Sequence, residues 1–219
     1  MNTKLRKRYI LFDLDGTLFD SAPGITNSLM FALDKYNIKV SDRKELYVFI
    51  GPPVWDSFQK YYGFSKEQAA EATRYYRSYF QEKGIFENEI YNGIIELLTK
   101  LNVAGKTLIV ATSKPIVFTN RILEHAGIDK YFSYVAGSEL DGTRIDKAEV
   151  IAYALQECDI ANKNDAIMIG DREHDILGAK KNGISSIGVL YGYGNIEELQ
   201  EAHADYVVND TMEIEQLLC

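Results

Sequence analysis

The chain has 219 residues, 46% of them hydrophobic and 26% charged, with a formal net charge of −8, a globular composition. The acidic balance excludes a nucleic-acid surface built on clustered Lys and Arg, and the longest apolar runs, being strand length, exclude a membrane-spanning helix. Two isolated cysteines, Cys158 and Cys219, exclude a disulfide framework or a structural zinc site, and the basic start "MNTKLRKRYI" leads into an apolar stretch broken by Asp13 and Asp15, which fails as a signal peptide. The expected location is the cytoplasm.

The first element is "YILF" (residues 9–12), an apolar run of the kind that is buried on both faces of a sheet. It stops abruptly at Asp13-Leu14-Asp15-Gly16-Thr17, and two carboxylates so placed repel each other and are costly to desolvate. From residue 20 to 91 no strand pattern follows. Instead "ITNSLMFALDKY", "PVWDSFQKYY" and "KEQAAEATRYYRSYFQEK" carry apolar or aromatic residues at helical spacing. So long a helical stretch exceeds a single crossover, and the expected layout is a core formed by residues 1–19 and 92–219 with an all-helical cap inserted at 20–91.

Strand-like runs then resume: "TLIVA" (107–111), "YVAG" (134–137), "AIMIG" (166–170), "SIGVL" (186–190) and a sixth at "DYVV" (205–208). Amphipathic stretches at 117–125 and 147–158 lie between them. Strands alternating with helices predict an α/β fold with a mostly parallel sheet covered on both faces.

Ligands of such sheets bind at the carboxyl ends of the strands, and four such positions carry polar residues. They are Asp13 to Thr17, then Thr112-Ser113-Lys114-Pro115, then the helix opening Asp146-Lys147-Ala148-Glu149, and finally Gly170-Asp171 with Asp175 beyond it. Each taken alone reads equally well as turn and cap chemistry; their convergence on one sheet edge is the signal. Gathered carboxylates require a cation, and oxygen ligands without histidine favour Mg²⁺. Asp13, Asp15 and Asp171 supply that set with Asp175 in support, and Asp13 is free to attack phosphorus. Asp15 then protonates the leaving oxygen and later deprotonates water. Thr112 and Ser113 lie before a helix that Pro115 helps start, where a phosphate fits, and Gly16 and Thr17 turn the chain so that its amides approach the same group. Asp146 and Glu149 form a capping box. Lys147, in a first turn where the helix dipole opposes it, reads as the cation that offsets this negative charge. His174 lies between Asp171 and Asp175 but turns elsewhere at helical spacing and is given no role.

With these residues in place the chain resembles the haloacid dehalogenase-like hydrolase superfamily, whose four motifs occur in order at Asp13 to Thr17, Thr112, Lys147 and Gly170-Asp171 with Asp175. The resemblance spans almost the whole chain. It implies a Rossmann-like core with a helical cap, Asp13 as nucleophile, and Mg²⁺ held by Asp13, the backbone carbonyl of Asp15 and Asp171. Asp15 separates the chain from the dehalogenases and from the ion-pumping ATPases of that superfamily, and Gly170 separates it from most of the sugar phosphomutases. The implied activity is a phosphatase acting on a small phosphorylated metabolite, as a monomer or homodimer. The chain is similar overall to the phosphoglycolate-phosphatase-like branch. "IGPPVWDSF" (50–58) and "GSELDGTR" (137–144) are similar to its bacterial 5′-nucleotidase-like subgroup. Phosphoglycolate phosphatase is the alternative, with a phosphomutase or a non-catalytic regulatory module behind it. Trp55 and Phe58 read as packing within the cap, stacking on a nucleobase being the other reading. Among basic residues, Lys114, Arg74 and Arg77 are candidates to meet an anion.

Overall fold

Six strands lie parallel in one sheet, in the order β5-β4-β1-β6-β7-β8, in a computed structural model that describes residues 4–219. The strands are β1 (Tyr9–Phe12), β4 (Thr107–Pro115), β5 (Tyr134–Ser138), β6 (Ala166–Gly170), β7 (Ser185–Val189) and β8 (Tyr206–Val208). Two further strands of two residues, β2 (Phe19–Asp20) and β3 (Glu89–Ile90), pair with each other where the chain leaves and re-enters this part of the fold. The α/β class and the parallel sheet expected from the alternation of runs are what the chain adopts.

β1 is central because it is apolar on both faces: Ile10, Leu11 and Phe12 are fully buried. One face, carrying Leu11, Ile109, Ala111, Ala136 and Met168, packs on helices α6 (Lys147–Glu157) and α7 (Glu173–Asn182) through Val150, Ile151, Ala154 and Ala179. The alternate residues Ile10, Leu108, Val110, Ile167 and Ile169 are also fully buried and point to the opposite face. Each such side chain contributes about 1.5–3 kcal/mol of burial. The remaining helices of this unit are α4 (Ile94–Val103), α5 (Ile116–Ala126), α8 (Ile196–Glu201) and α9 (Thr211–Leu218).

The strand order decides where the site lies. From β1 the chain moves to β4 and β5 on one side, and only then crosses to β6, β7 and β8 on the other. The order therefore reverses between β1 and β6, and that crevice is where α/β sheets bind ligands. Asp13 follows β1 and Asp171 follows β6.

The chain divides into two compact units, residues 1–19 with 90–219, and residues 20–89. The second unit is helical: α1 (Ala22–Asp34), α2 (Val54–Tyr62) and α3 (Lys66–Glu82), with a 3₁₀ turn at Arg43–Phe49. Its interior is aromatic, with Phe58 stacked on Phe64 at 5.6 Å between ring centroids and edge-on to Phe49 at 5.4 Å. Ser65 starts α3 by accepting from the Gln68 N–H while the Gln68 side chain accepts from the Ser65 N–H, a capping box. Among the described residues no helix is long and apolar enough to cross a membrane.

Candidate active site

Asp13 and Asp171 stand at the carboxyl ends of adjacent strands and Asp175 in the first turn of α7, with one oxygen of each within 4.8 Å of the others. All three are buried. The Asp13 N–H donates to the Ile169 carbonyl at 2.9 Å, so the β1–β6 ladder continues one residue past β1 and fixes where the nucleophile candidate starts. Beyond it the chain closes on itself: the Gly16 N–H donates to the Phe19 carbonyl at 2.8 Å and the Leu18 N–H to the Leu14 carbonyl at 2.9 Å. The Gly16 amide expected to approach a phosphate is thus spent inside the loop. Glycine is required there for another reason. Its φ is +86°, and a Cβ would lie 2.2 Å from an oxygen of Asp171, so no side chain fits.

Lys147 is the counter-charge. Its Nζ is 2.6 Å from Asp13 Oδ1 and 2.9 Å from Asp175 Oδ1, and it donates to the Ala111 carbonyl at 3.1 Å. The ammonium is thus ion-paired to two carboxylates and hydrogen-bonded to one carbonyl. The backbone around it is set by Asp146, whose carboxylate accepts from the Ala148 N–H at 2.8 Å; that single bond is the cap that forms at the start of α6. Burial opposes charge on Lys147, but Asp13 and Asp175 outweigh it and hold the ammonium above its ordinary range. Burial pushes the Asp13 carboxyl up to about 6, against the pull of Lys147 and with repulsion from Asp175. Burial also holds Asp171 well above the usual carboxylate range, with Asp175 and Asp13 adding to it.

Asp175 serves two partners, Lys147 through Oδ1 and the Arg172 N–H through Oδ2 at 3.1 Å, which closes the start of α7. Asp15 lies apart from this trio and pairs with Lys114 Nζ at 2.8 Å. Thr112 is buried and its hydroxyl oxygen accepts from the Lys114 N–H at 3.2 Å. Of the other residues expected to meet substrate, Ser113 offers its carbonyl to the Ser138 hydroxyl at 2.8 Å, and Thr17 directs its hydroxyl at Asp171 at 3.4 Å. Four carboxylates, Asp13, Asp15, Asp171 and Asp175, therefore face two ammonium groups, Lys114 and Lys147. When all four are ionised, two negative charges are left over. That residue of charge, with oxygen donors alone, fits one divalent cation such as Mg²⁺.

One segment is absent from the sequence expectations. After β7 the chain runs Leu190-Tyr191-Gly192-Tyr193-Gly194, and its Tyr193 N–H donates to Asp171 Oδ2 at 2.8 Å while the Tyr191 hydroxyl donates to the Thr17 carbonyl at 3.0 Å. It holds both Asp171 and the loop after Asp13. Its only sequence signal is a tyrosine-glycine alternation at the end of a strand.

In the second unit Phe58 is fully buried between Phe49 and Phe64, which makes it a packing residue; Trp55 is partly exposed on the same helix.

The haloacid dehalogenase-like hydrolase family model matches residues 10–189. A 5′-nucleotidase of Pseudomonas aeruginosa is 45% identical over 98% of this chain and 96% of its own length. The tyrosine-protein kinase PtkA of Mycobacterium tuberculosis is 36% identical over 91% of this chain and 68% of its own. A crystal structure of a predicted phosphatase from Clostridium acetobutylicum superposes with a TM-score of 0.93 at 51% identity, covering 96% of this chain and 97% of that one. The chain belongs to the haloacid dehalogenase-like hydrolase family, among its phosphoric monoester hydrolases.

Proposed function

We propose that this phosphatase is Mg²⁺-dependent and hydrolyses nucleoside 5′-monophosphates through a phosphoryl group carried on Asp13. The observation that carries the chemistry is the buried Lys147 ammonium between Asp13 and Asp175, 2.6 and 2.9 Å away. It keeps a buried carboxylate anionic while pinning only one of its oxygens. The substrate class rests on the 45% identity to a 5′-nucleotidase, against 28% to a phosphoglycolate phosphatase of Colwellia psychrerythraea. The helical unit of residues 20–89 acts as the cap that sets specificity, and the protein works in the cytoplasm.

Asp13, the Asp15 carbonyl and Asp171 would hold the ion, with Asp175 in support. Bound there, it supplies Lewis-acid neutralisation of phosphate charge. The free oxygen of Asp13 attacks phosphorus as the bond to the leaving oxygen breaks, and the Asp15 carboxyl gives that oxygen a proton. Water then attacks phosphorus, Asp15 takes its proton back, and the Asp13–phosphorus bond breaks to release phosphate. Lys147 stabilises Asp13 in both halves, and Thr112, Ser113 and the loop of Gly16 and Thr17 border the phosphate.

The test is release of inorganic phosphate from nucleoside monophosphates, phosphoglycolate and sugar phosphates by purified protein with Mg²⁺. The highest kcat/KM is expected for a nucleoside monophosphate. A preference for phosphoglycolate overturns the substrate, and no hydrolysis of any ester overturns the mechanism.

A further inference from the structure

β4 and β5 fall out of register just where the site begins. Ala111 pairs with Ala136, yet Pro115 pairs with Ser138, so four steps along β4 match two along β5. The two surplus residues lie within Thr112-Ser113-Lys114, a bulge of the kind that re-aims a side chain. Two hydrogen bonds and a close backbone approach hold it. The Lys114 N–H donates to the Thr112 hydroxyl oxygen at 3.2 Å, and the Ser138 hydroxyl donates to the Ser113 carbonyl at 2.8 Å. Gly137 gives room for the approach, since a Cβ there would come within 2.8 Å of the Lys114 carbonyl oxygen. The bulge delivers Lys114 Nζ to 2.8 Å from Asp15 Oδ1, with the two side chains 8% and 11% exposed. The backbone of Asp15 is itself fixed by a bridge to Phe19, which leaves its carboxylate rotamer as the remaining freedom.

We propose that Lys114 is a positioning residue for Asp15 in the hydrolytic half of the reaction. The inference rests on the reading of Asp15 as acid and base given above. An ammonium at charge-assisted hydrogen-bond distance selects one rotamer of the Asp15 carboxylate. That orientation is the one in which Asp15 meets the water that attacks the phosphorylated Asp13; with nitrophenolate as leaving group the first step needs no proton, so the effect falls on the second. Drawing Lys114 away to a phosphate would strip a mostly buried carboxylate of this cation, which is costly. Lys114 therefore serves Asp15 first, rather than the substrate.

The reaction has two steps, so slowing only the second has a distinct kinetic signature. With p-nitrophenyl phosphate and Mg²⁺, Lys114→Met is expected to lower kcat about 10- to 100-fold, within the range a positioned base supplies. KM falls with it and kcat/KM is unchanged. A burst of nitrophenolate precedes the slow steady state, and mass spectrometry of the quenched enzyme shows one added phosphoryl group. Lys114→Arg restores most of kcat. Gly137→Ala, which disturbs the bulge without removing the ammonium, gives a weaker burst of the same kind and covers the case in which Lys114→Met does not fold. A raised KM with lowered kcat/KM makes Lys114 a phosphate ligand and overturns the proposal, as do unchanged kinetics. Asp15→Asn separates the two readings. If it too shows no burst, the base assignment fails; if it bursts and Lys114→Met does not, only the positioning role fails.

Discussion

Lys147 Nζ lies 2.6 Å from Asp13 Oδ1, and each of the two side chains is 5% exposed. Removing Lys147 strands two buried carboxylates, whereas removing the Asp13 charge leaves the ammonium paired with Asp175, so the two members make opposite predictions.

Asp13→Asn removes a charge from a site that already carries two in excess. The variant is expected to fold, with a thermal midpoint equal to or above that of the parent, and to release no phosphate. Turnover by this variant would rule out Asp13 as the atom that carries the phosphoryl group.

Lys147→Met leaves Asp13 and Asp175 buried without their ammonium. Loss of one partner of a buried pair costs about 3–5 kcal/mol, to be read from urea unfolding. Combining it with Asp13→Asn should return part of that loss, because one of the stranded charges is gone. A double variant no more stable than Lys147→Met would show that the pair is not coupled.

Burial and mutual repulsion raise Asp13 and Asp171 above their unfolded values of about 3.8. The folded state therefore holds protons that the unfolded state releases, and the metal-free protein loses stability as pH rises from about 3.8 to about 6, the value for Asp13. Mg²⁺ offsets the exposed repulsion of the ionised forms. Its stabilisation, about 2.7 kcal/mol at a hundredfold excess over Kd, should be larger at pH 8 than at pH 5. Calorimetric scans with and without Mg²⁺ measure this, and Asp171→Asn should abolish the difference. An equal Mg²⁺ effect at both pH values would argue against these carboxylates as ligands.

Phe58→Ala tests the helical unit by itself. The ring is fully buried and stacked on Phe64, and its removal should cost about 3–5 kcal/mol. Trp55→Ala, on a partly exposed position, should cost less in the same unfolding experiment.

The parts of this architecture that sequence discloses are those encoded over short spans. "YILF" followed by Asp13 and Asp15, or "AIMIG" followed by Asp171, places a charge at the end of a buried strand within a few residues, and chain direction then puts every such end on one edge of the sheet. Lys147 was legible because a lysine in a first helical turn has no local reason to be there. What stayed hidden depends on register and distance. The strand beginning at Thr107 runs to Pro115 because a bulge carries it four residues past the apolar run. Nothing near Lys114 in the sequence points to a partner 99 residues away. The loop of Tyr191 and Tyr193 acts through a backbone N–H and a hydroxyl bound to a carbonyl, contacts that many residue types make and that leave little trace in composition.

The burial of the Lys147 ammonium has a chemical consequence for anyone who labels this protein. An amine reacts with acylating reagents through its lone pair, and here that lone pair is protonated, shielded from solvent and held beside two carboxylates and a carbonyl. Lysines such as Lys39, whose side chain is 82% exposed, react instead. Dyes and surface couplings aimed at amines will thus decorate the exterior and leave Lys147 untouched.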